Sequence, residues 1–223
     1  IHIQFMQYQD ISISVLISIA KNAGNEIMKI YAKDFSVETK SDSSPLTEAD
    51  KKSNEIILSQ LKKLFPDIPF ISEENKLTPY EVRKNWKRFW LIDPLDGTKE
   101  FIKKNGEFTV NIALIEEGVP VVGVVYVPAQ NITYYGVKGI GSFKSENGNA
   151  PVEIKNLQHY SEKGKVVVVA SRSHLSDETL QFVEDLKASG KEVEFLSSGS
   201  SLKFCLVAEG EADVYPRFGP TME

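Results

Sequence analysis

Residues 90–101 read WLIDPLDGTKEF, an apolar run that ends on Asp93, turns through Pro94 and then presents Asp96, Gly97 and Thr98. Two carboxylates at a strand exit either end the strand as solvated turn formers or hold a hard cation. The same choice recurs nearby, where Glu73-Glu74 follows the run IPFIS and Asp50 closes the segment LTEAD. Mg2+ demands oxygen ligands and keeps several of its waters, so a few carboxylates on rigid strand ends, with a carbonyl from the PLD turn, suit it. Two such ions roughly 3.5 to 4 Å apart can hold a phosphate between them, lower the pKa of an attacking water and neutralise the leaving oxygen. The chemistry that Asp50, Glu73, Asp93 and Asp96 would serve together is phosphoryl hydrolysis. Taken singly, each acid has a plainer use: Thr47 to Asp50 reads as a capping box with Asp in place of Glu, and Glu73-Glu74 as a charged loop. The joint pattern, acid after one strand and D-P-L-D-G-T after the next, favours the metal.

These acids need elements to position them. Leu16, Ile19, Ala20, Ala23, Ile27, Ile30 and Tyr31 recur at helical spacing and predict a helix with one buried face, capped by Asp10. A short extended pair broken at SDSSP precedes a second helix near Thr47, with Ile56, Ile57, Leu61 and Leu64 on its buried side and Pro66 and Pro69 ending it. IPFIS and RFWLID read as strands whose acidic ends meet. From Phe108 to Phe143 apolar runs alternate with turns, which predicts an antiparallel meander. Beyond the polar stretch 145–165 the pattern becomes alternating: strand VVVVAS, a helix from Ser176 to Ser189 stopped by Gly190, strand EVEFLS, helix GSSLKFCLVAEG and a strand opening at ADVYP. The expected class is α/β with α+β character, an N-terminal meander sheet with helices followed by a smaller C-terminal α/β half.

The chain has 223 residues, 41% hydrophobic and 26% charged, enough to bury a sizeable core in one domain or two. Its net charge of −5 argues against a broad basic face for duplex nucleic acid, whereas a small anionic ligand needs only a local group of cations. The single cysteine, Cys205, forms no internal disulfide and fits a reducing cytoplasm. ISISVLISIA has the look of a signal-peptide core, but no basic region precedes it, no cleavage site follows, and it is too short to cross a bilayer. No membrane span is expected, and peripheral association with the inner membrane stays open. Met6 reads as the native initiator, which leaves residues 1–5 without a role.

LTEAD, ISEEN and WLIDPLDGTKEF, with the meander that follows, resemble the lithium-sensitive, Mg2+-dependent phosphatase family that includes inositol monophosphatases, fructose bisphosphatases and bisphosphate nucleotidases. The resemblance covers essentially the whole chain. It implies a layered αβαβα sandwich, with residues 1–160 the metal-binding, catalytic subdomain and residues 161–223 a nucleotide-binding one. It implies two or three Mg2+ ions held by Glu73, Asp93, Asp96 and the carbonyl of Leu95. It also implies that Thr98 and Asp50, with Glu73, orient and deprotonate the attacking water, while the amides of Gly97 and Thr98 hold the phosphate.

TKEF rather than TTNF after Asp-Gly resembles the 3′(2′),5′-bisphosphate nucleotidase branch. ASRSH places Arg172 and His174 beyond a strand, GSSLK places Ser200 and Lys203 one turn apart at a helix start, and Arg217 follows in VYPRFGPTME. The resemblance implies that His174, Ser200, Lys203 and Arg217 hold a small-molecule nucleotide bisphosphate, and that the reaction removes the 3′-phosphate of adenosine 3′,5′-bisphosphate to leave AMP. A nucleotide that keeps a 5′-phosphate needs cations, and the acid that inositol-cleaving relatives carry where Arg217 stands would repel it. By type alone, His174 is a surface or capping residue, Lys203 a solvated helix residue, Arg217 a surface ion-pair former and Cys205 core packing. The family pattern continues into Trp-Asp-x-Ala-Ala-Gly, whose aspartate reaches the second metal. The sequence stops at Glu223 before it, which implies a shortened chain lacking one ligand. Two alternatives stand beside the nucleotidase: an inositol monophosphatase or related sugar or nucleotide phosphatase, and a catalytically silent nucleotide-binding protein.

Overall fold

A two-strand ribbon, β1 (Gln7–Tyr8) and β2 (Ile11–Ser12), leads into helix α1 (Ile13–Tyr31) in the computed structural model, which describes residues 6–33, 36–39, 45–155, 160–162, 164–170 and 176–218. Leu16, Ile19, Ala20, Ala23 and Ile27 form the buried stripe that the periodicity predicts, while Ile30 and Tyr31 are half-buried. Asp10 is not the cap. Ser12 takes that position without a side-chain bond, because Asp10 lies two residues earlier in the turn between β1 and β2, where it accepts from Arg88 Nη2 at 2.8 Å. Met6 is buried in the core.

Strands β3 (Val37–Thr39) and β4 (Pro45–Thr47) pair antiparallel and deliver the chain to α2 (Glu48–Leu64). Its buried stripe is Asp50, Ser53, Asn54, Ile57, Leu58 and Leu61. The sequence reading placed Leu64 and Ile56 on this face, yet Leu64 is 50% exposed and Ile56 only half-buried. Asp50, Ser53 and Asn54 occupy the N-terminal half of the stripe beside the small Ala49, and the larger apolar contacts come from Ile57, Leu58 and Leu61.

Next come β5 (Phe70–Ser72), the short α3 (Tyr80–Arg83), β6 (Arg88–Asp96) and α4 (Thr98–Ile102). The meander is β7 (Thr109–Glu116), β8 (Val119–Val127), β9 (Ile132–Val137), β10 (Gly141–Glu146) and β11 (Val152–Glu153). Together they make one seven-stranded sheet in the order β11-β10-β9-β8-β7-β6-β5. It is antiparallel except for β5 and β6, which run parallel with Ser72 opposite Ile92. That parallel pair follows from the long crossover through α3, since a tight hairpin joins only antiparallel strands. The helices cover one face, where Trp90, Ile92, Val110, Ile112 and Val124 pack with the α1 and α2 stripes.

These elements make up the first of two compact units, Ile1–Glu153; the second is Ile154–Glu223. In the second unit β12 (Lys165–Ala170) and β13 (Glu192–Ser197) pair parallel across helix α5 (Asp177–Ala188), and α6 (Leu202–Glu209) follows. Ser176 caps α5 by accepting from the Thr179 amide, and Gly190 terminates it at a φ of +86°, a left-handed angle that glycine takes without a Cβ penalty. The strand expected at ADVYP reduces, among the described residues, to one parallel bridge of Val214 with Val168. No helix among the described residues is long and apolar enough to cross a membrane.

Candidate active site

Asp50 does two things at once. Its Oδ2 accepts from the Thr47 amide at 2.8 Å and from Thr47 Oγ1 at 2.6 Å, while the Ala49 amide donates to Thr47 Oγ1 at 3.2 Å. This is the capping box the sequence suggested. The other oxygen, Oδ1, accepts from Thr98 Oγ1 at 3.1 Å. The plain reading and the chemical one are therefore compatible: one carboxylate oxygen starts the helix and the other holds the threonine. Asp50 is 1% exposed, so these bonds face little competition from water.

Asp93 and Asp96 share a face only because β6 is irregular. Side chains alternate along a strand, so residues three apart point to opposite sides. Here Asp93 sits opposite Asn111 and Asp96 opposite Thr109, with a register shift between them. Three steps along β6 thus match two along β7, which is a bulge of one residue. Pro94 and Leu95 are both buried, and after this doubled inward step Asp96 returns to the side of Asp93. Glu73 joins from β5, where its amide donates to the Ile92 carbonyl at 3.2 Å, one residue before Asp93.

The electrostatics agree with that convergence. The Asp93 carboxyl is pushed well above the usual carboxylate range by burial first, then by the charges of Asp96 and Glu73 and a hydrogen bond with Glu73, while the Leu95 amide pulls the other way. That amide donates to Asp93 Oδ1 at 3.1 Å. A carboxyl held protonated by neighbouring carboxylates is one that a nearby cation would relieve. Among the described residues no three His, Cys, Asp or Glu side chains close into a ready cage. The groups brought together around Asp93 are oxygen donors, the type that Mg2+ takes.

Gly97 lies between the acids and Thr98 with φ +91° and starts α4. On α4, Phe101 is fully buried, edge-on to Phe108 at 5.3 Å and tilted against Tyr31 at 5.2 Å, and its amide donates to the Gly97 carbonyl at 2.9 Å, which ties the turn to an aromatic cluster.

Helix α2 braces the site through residues that the sequence reading did not single out. Ser53 Oγ donates to the Pro94 carbonyl at 2.6 Å. Asn54 Oδ1 accepts from Ser72 Oγ at 2.8 Å, and its Nδ2 donates to Asn75 Oδ1 at 2.9 Å. The available signal was polar residues at positions 50, 53 and 54 in line with the apolar stripe at 57, 58 and 61.

The remaining expected residues belong to the second unit. Ser200 precedes α6 rather than starting it, in a left-handed turn of φ +49°, and its Oγ accepts from the Leu202 amide at 3.3 Å. Lys203, by type a solvated residue, is 7% exposed. Its Nζ donates to the Ser200 carbonyl at 2.6 Å and lies 5.3 Å from the Tyr215 ring centroid. Cys205 is buried, as core packing requires. Arg217 is exposed. Arg172 and His174 lie outside the described residues.

Residues 9–223 match the inositol monophosphatase family. The chain is 51% identical over 205 residues, 91% of its length and 79% of the other's, to the 3′(2′),5′-bisphosphate nucleotidase CysQ of Salmonella typhimurium. Against the protein of the same name from Shigella flexneri it is 48% identical with the same coverage. The crystal structure of CysQ from Bacteroides thetaiotaomicron superposes with a TM-score of 0.80 at 42% identity, covering 98% of this chain and 83% of that one.

Proposed function

The chain belongs to the inositol monophosphatase family, and from that premise we propose that it is a Mg2+-dependent 3′(2′),5′-bisphosphate nucleotidase, which hydrolyses the 3′-phosphate of adenosine 3′,5′-bisphosphate to give AMP and phosphate. The observation that carries the chemistry is the bulge that turns Asp93 and Asp96 to one side beside the Thr98–Asp50 pair. The substrate rests on the CysQ relatives. A cytoplasmic setting accords with the lone, buried Cys205.

Glu73, Asp93 and Asp96, with the Leu95 carbonyl, would hold two or three Mg2+ ions. Bound there, Mg2+ supplies Lewis-acid charge to the phosphoryl oxygens and lowers the pKa of the attacking water. The chain's own residues manage the proton. Because Thr98 donates its hydroxyl hydrogen to Asp50 Oδ1, the lone pairs of Thr98 Oγ1 are left to accept a hydrogen from the water, and the proton passes toward the carboxylate as the oxygen attacks phosphorus. The phosphorus to O3′ bond breaks as the water oxygen bonds to phosphorus, and O3′ takes a proton from solvent, so that one water is consumed and phosphate and the ribose hydroxyl are released. The Gly97 and Thr98 amides would face the phosphate oxygens as fixed donors. In the second unit, Ser200, Lys203 and Arg217, with His174, would take the nucleotide and its 5′-phosphate.

Phosphate release should be measured from adenosine 3′,5′-bisphosphate and from inositol 1-phosphate. The expected outcome is preference for the nucleotide, abolished by a chelator and restored by Mg2+. Asp93→Asn should lower the Mg2+-dependent rate by about 100-fold or more, the scale at which losing one transition-state contact registers. Preference for the inositol ester would overturn the substrate, and undiminished activity in Asp93→Asn the site.

A further inference from the structure

We infer that Ser53 and Asn54 are positioning residues that set the spacing of the carboxylates toward Mg2+, holding the two acid-bearing segments against one helix. The inference rests on the functional reading above and adds residues to it.

Glu73 lies in the turn after β5, whereas Asp93 and Asp96 flank the bulge of β6. The bulge takes Pro94 and Leu95 out of step with β7, so the ladder does not define where that turn sits. Ser53, fully buried on α2, supplies a donor to the Pro94 carbonyl at 2.6 Å, immediately between Asp93 and Leu95. Asn54 spans the other turn. Its carbonyl oxygen takes Ser72 and its amide nitrogen takes Asn75, one on each side of Glu73-Glu74. Asp50, one turn earlier on the same stripe, holds Thr98. Residues i, i+3 and i+4 share a helix face, so one rigid element fixes three separate segments.

The residue types are informative. A buried hydroxyl or amide in a helix stripe is costly unless its hydrogen bonds are made, and an apolar residue would extend the stripe of Ile57, Leu58 and Leu61 at no such cost. Ser53 and Asn54 direct their bonds to the loops that carry the acids rather than to their own helix. Residues beyond the ligands that orient a metal site alter affinity by about 10- to 100-fold when replaced.

The test is Mg2+ binding followed by calorimetry without substrate, with melting temperature recorded in chelator and kcat and KM measured against Mg2+ concentration. Ser53→Ala and Asn54→Leu should each raise the half-saturating Mg2+ concentration by about tenfold, with KM for adenosine 3′,5′-bisphosphate at saturating Mg2+ little changed. Ser53→Thr, which keeps the hydroxyl, should restore binding. Should either core variant fail to fold, Asn75→Ala removes the partner of Asn54 from an exposed loop position and should show the same shift. Ser59→Ala, on the solvent side of α2, should bind Mg2+ as the wild type does.

Unchanged Mg2+ half-saturation in Ser53→Ala, Asn54→Leu and Asn75→Ala, in a wild type that binds the ion and releases phosphate, overturns this inference and leaves the nucleotidase standing. A drop in activity that follows only the melting temperature, with Mg2+ binding intact, overturns it as well. A wild-type chain that neither binds Mg2+ nor releases phosphate overturns both.

Discussion

Thr98 is the residue on which the proton path turns. Replacing it with Val keeps the shape but removes the donor to Asp50 Oδ1, so kcat should fall by about 100-fold or more while KM stays within a few-fold; Thr98→Ser should retain most activity. A KM effect alone would assign Thr98 to substrate binding instead. Tyr135 illustrates a polar atom with no such employment. It is 3% exposed, its hydroxyl has no hydrogen-bond partner among the described residues, and burial pushes its pKa from 10.0 up to about 12. The fold therefore favours the neutral phenol, and the stability this gives is complete below pH 10 and is lost as pH rises toward 12. Tyr135→Phe should abolish that alkaline loss and stabilise the protein at neutral pH by about 1 kcal/mol, the cost of a buried unsatisfied hydroxyl. Equilibrium denaturation at pH 7 and pH 11 reads both effects, and equal pH sensitivity in the two proteins would refute the assignment.

At the scale of elements, α1 lies against the sheet through Gly24. A Cβ there would come within 2.5 Å of the Tyr126 ring and 3.1 Å of Pro128. Glycine inside a helix costs about 0.5–1 kcal/mol relative to alanine, whereas overpacking a buried contact costs about 1–3 kcal/mol. The second term wins, so Gly24→Ala should destabilise despite its better helix propensity, and a raised melting temperature would show that the helix can back away. The sequence revealed much at this level. The α2 cap, the meander and the two acidic strand ends follow from residue types at short spacing. The bulge does not, because period-two reasoning assumes the regularity that a bulge breaks; the available signal was Pro94, which cannot donate to a ladder but reads equally as the turn former that ends a strand. The parallel β5–β6 pairing was hidden for a related reason: strand direction is decided by the crossover, not by the strand. Ser53 and Asn54 were overlooked because polar residues on a helix read as solvent-facing until the neighbouring segments are in place.

Across the whole molecule the two units differ in how much they bury. Among the described residues the first has a core running from Met6 to Phe143, whereas the second buries Val166, Val168, Val169, Val183, Leu186, Leu202, Cys205 and Ala212, with Phe195 of β13 47% exposed. Local stability follows buried apolar contact. Hydrogen exchange should therefore find amides of β12 and β13 opening at least about tenfold faster than those of β7 and β8; equal protection would mean that burial within each unit is the wrong measure. The acid-bearing turn belongs to the well-buried unit, yet it is the one place where β6 departs from an even ladder. Deleting either Pro94 or Leu95 would let the strand run on unbroken, and a screen reading heat resistance alone would be drawn to that shorter chain. In the straightened strand the two aspartates, now two positions apart, would still face one side of the sheet, but the turn that Ser53 holds through the Pro94 carbonyl would be gone. Engineers seeking a hardier catalyst should thus fix the number of residues between them before optimising anything else.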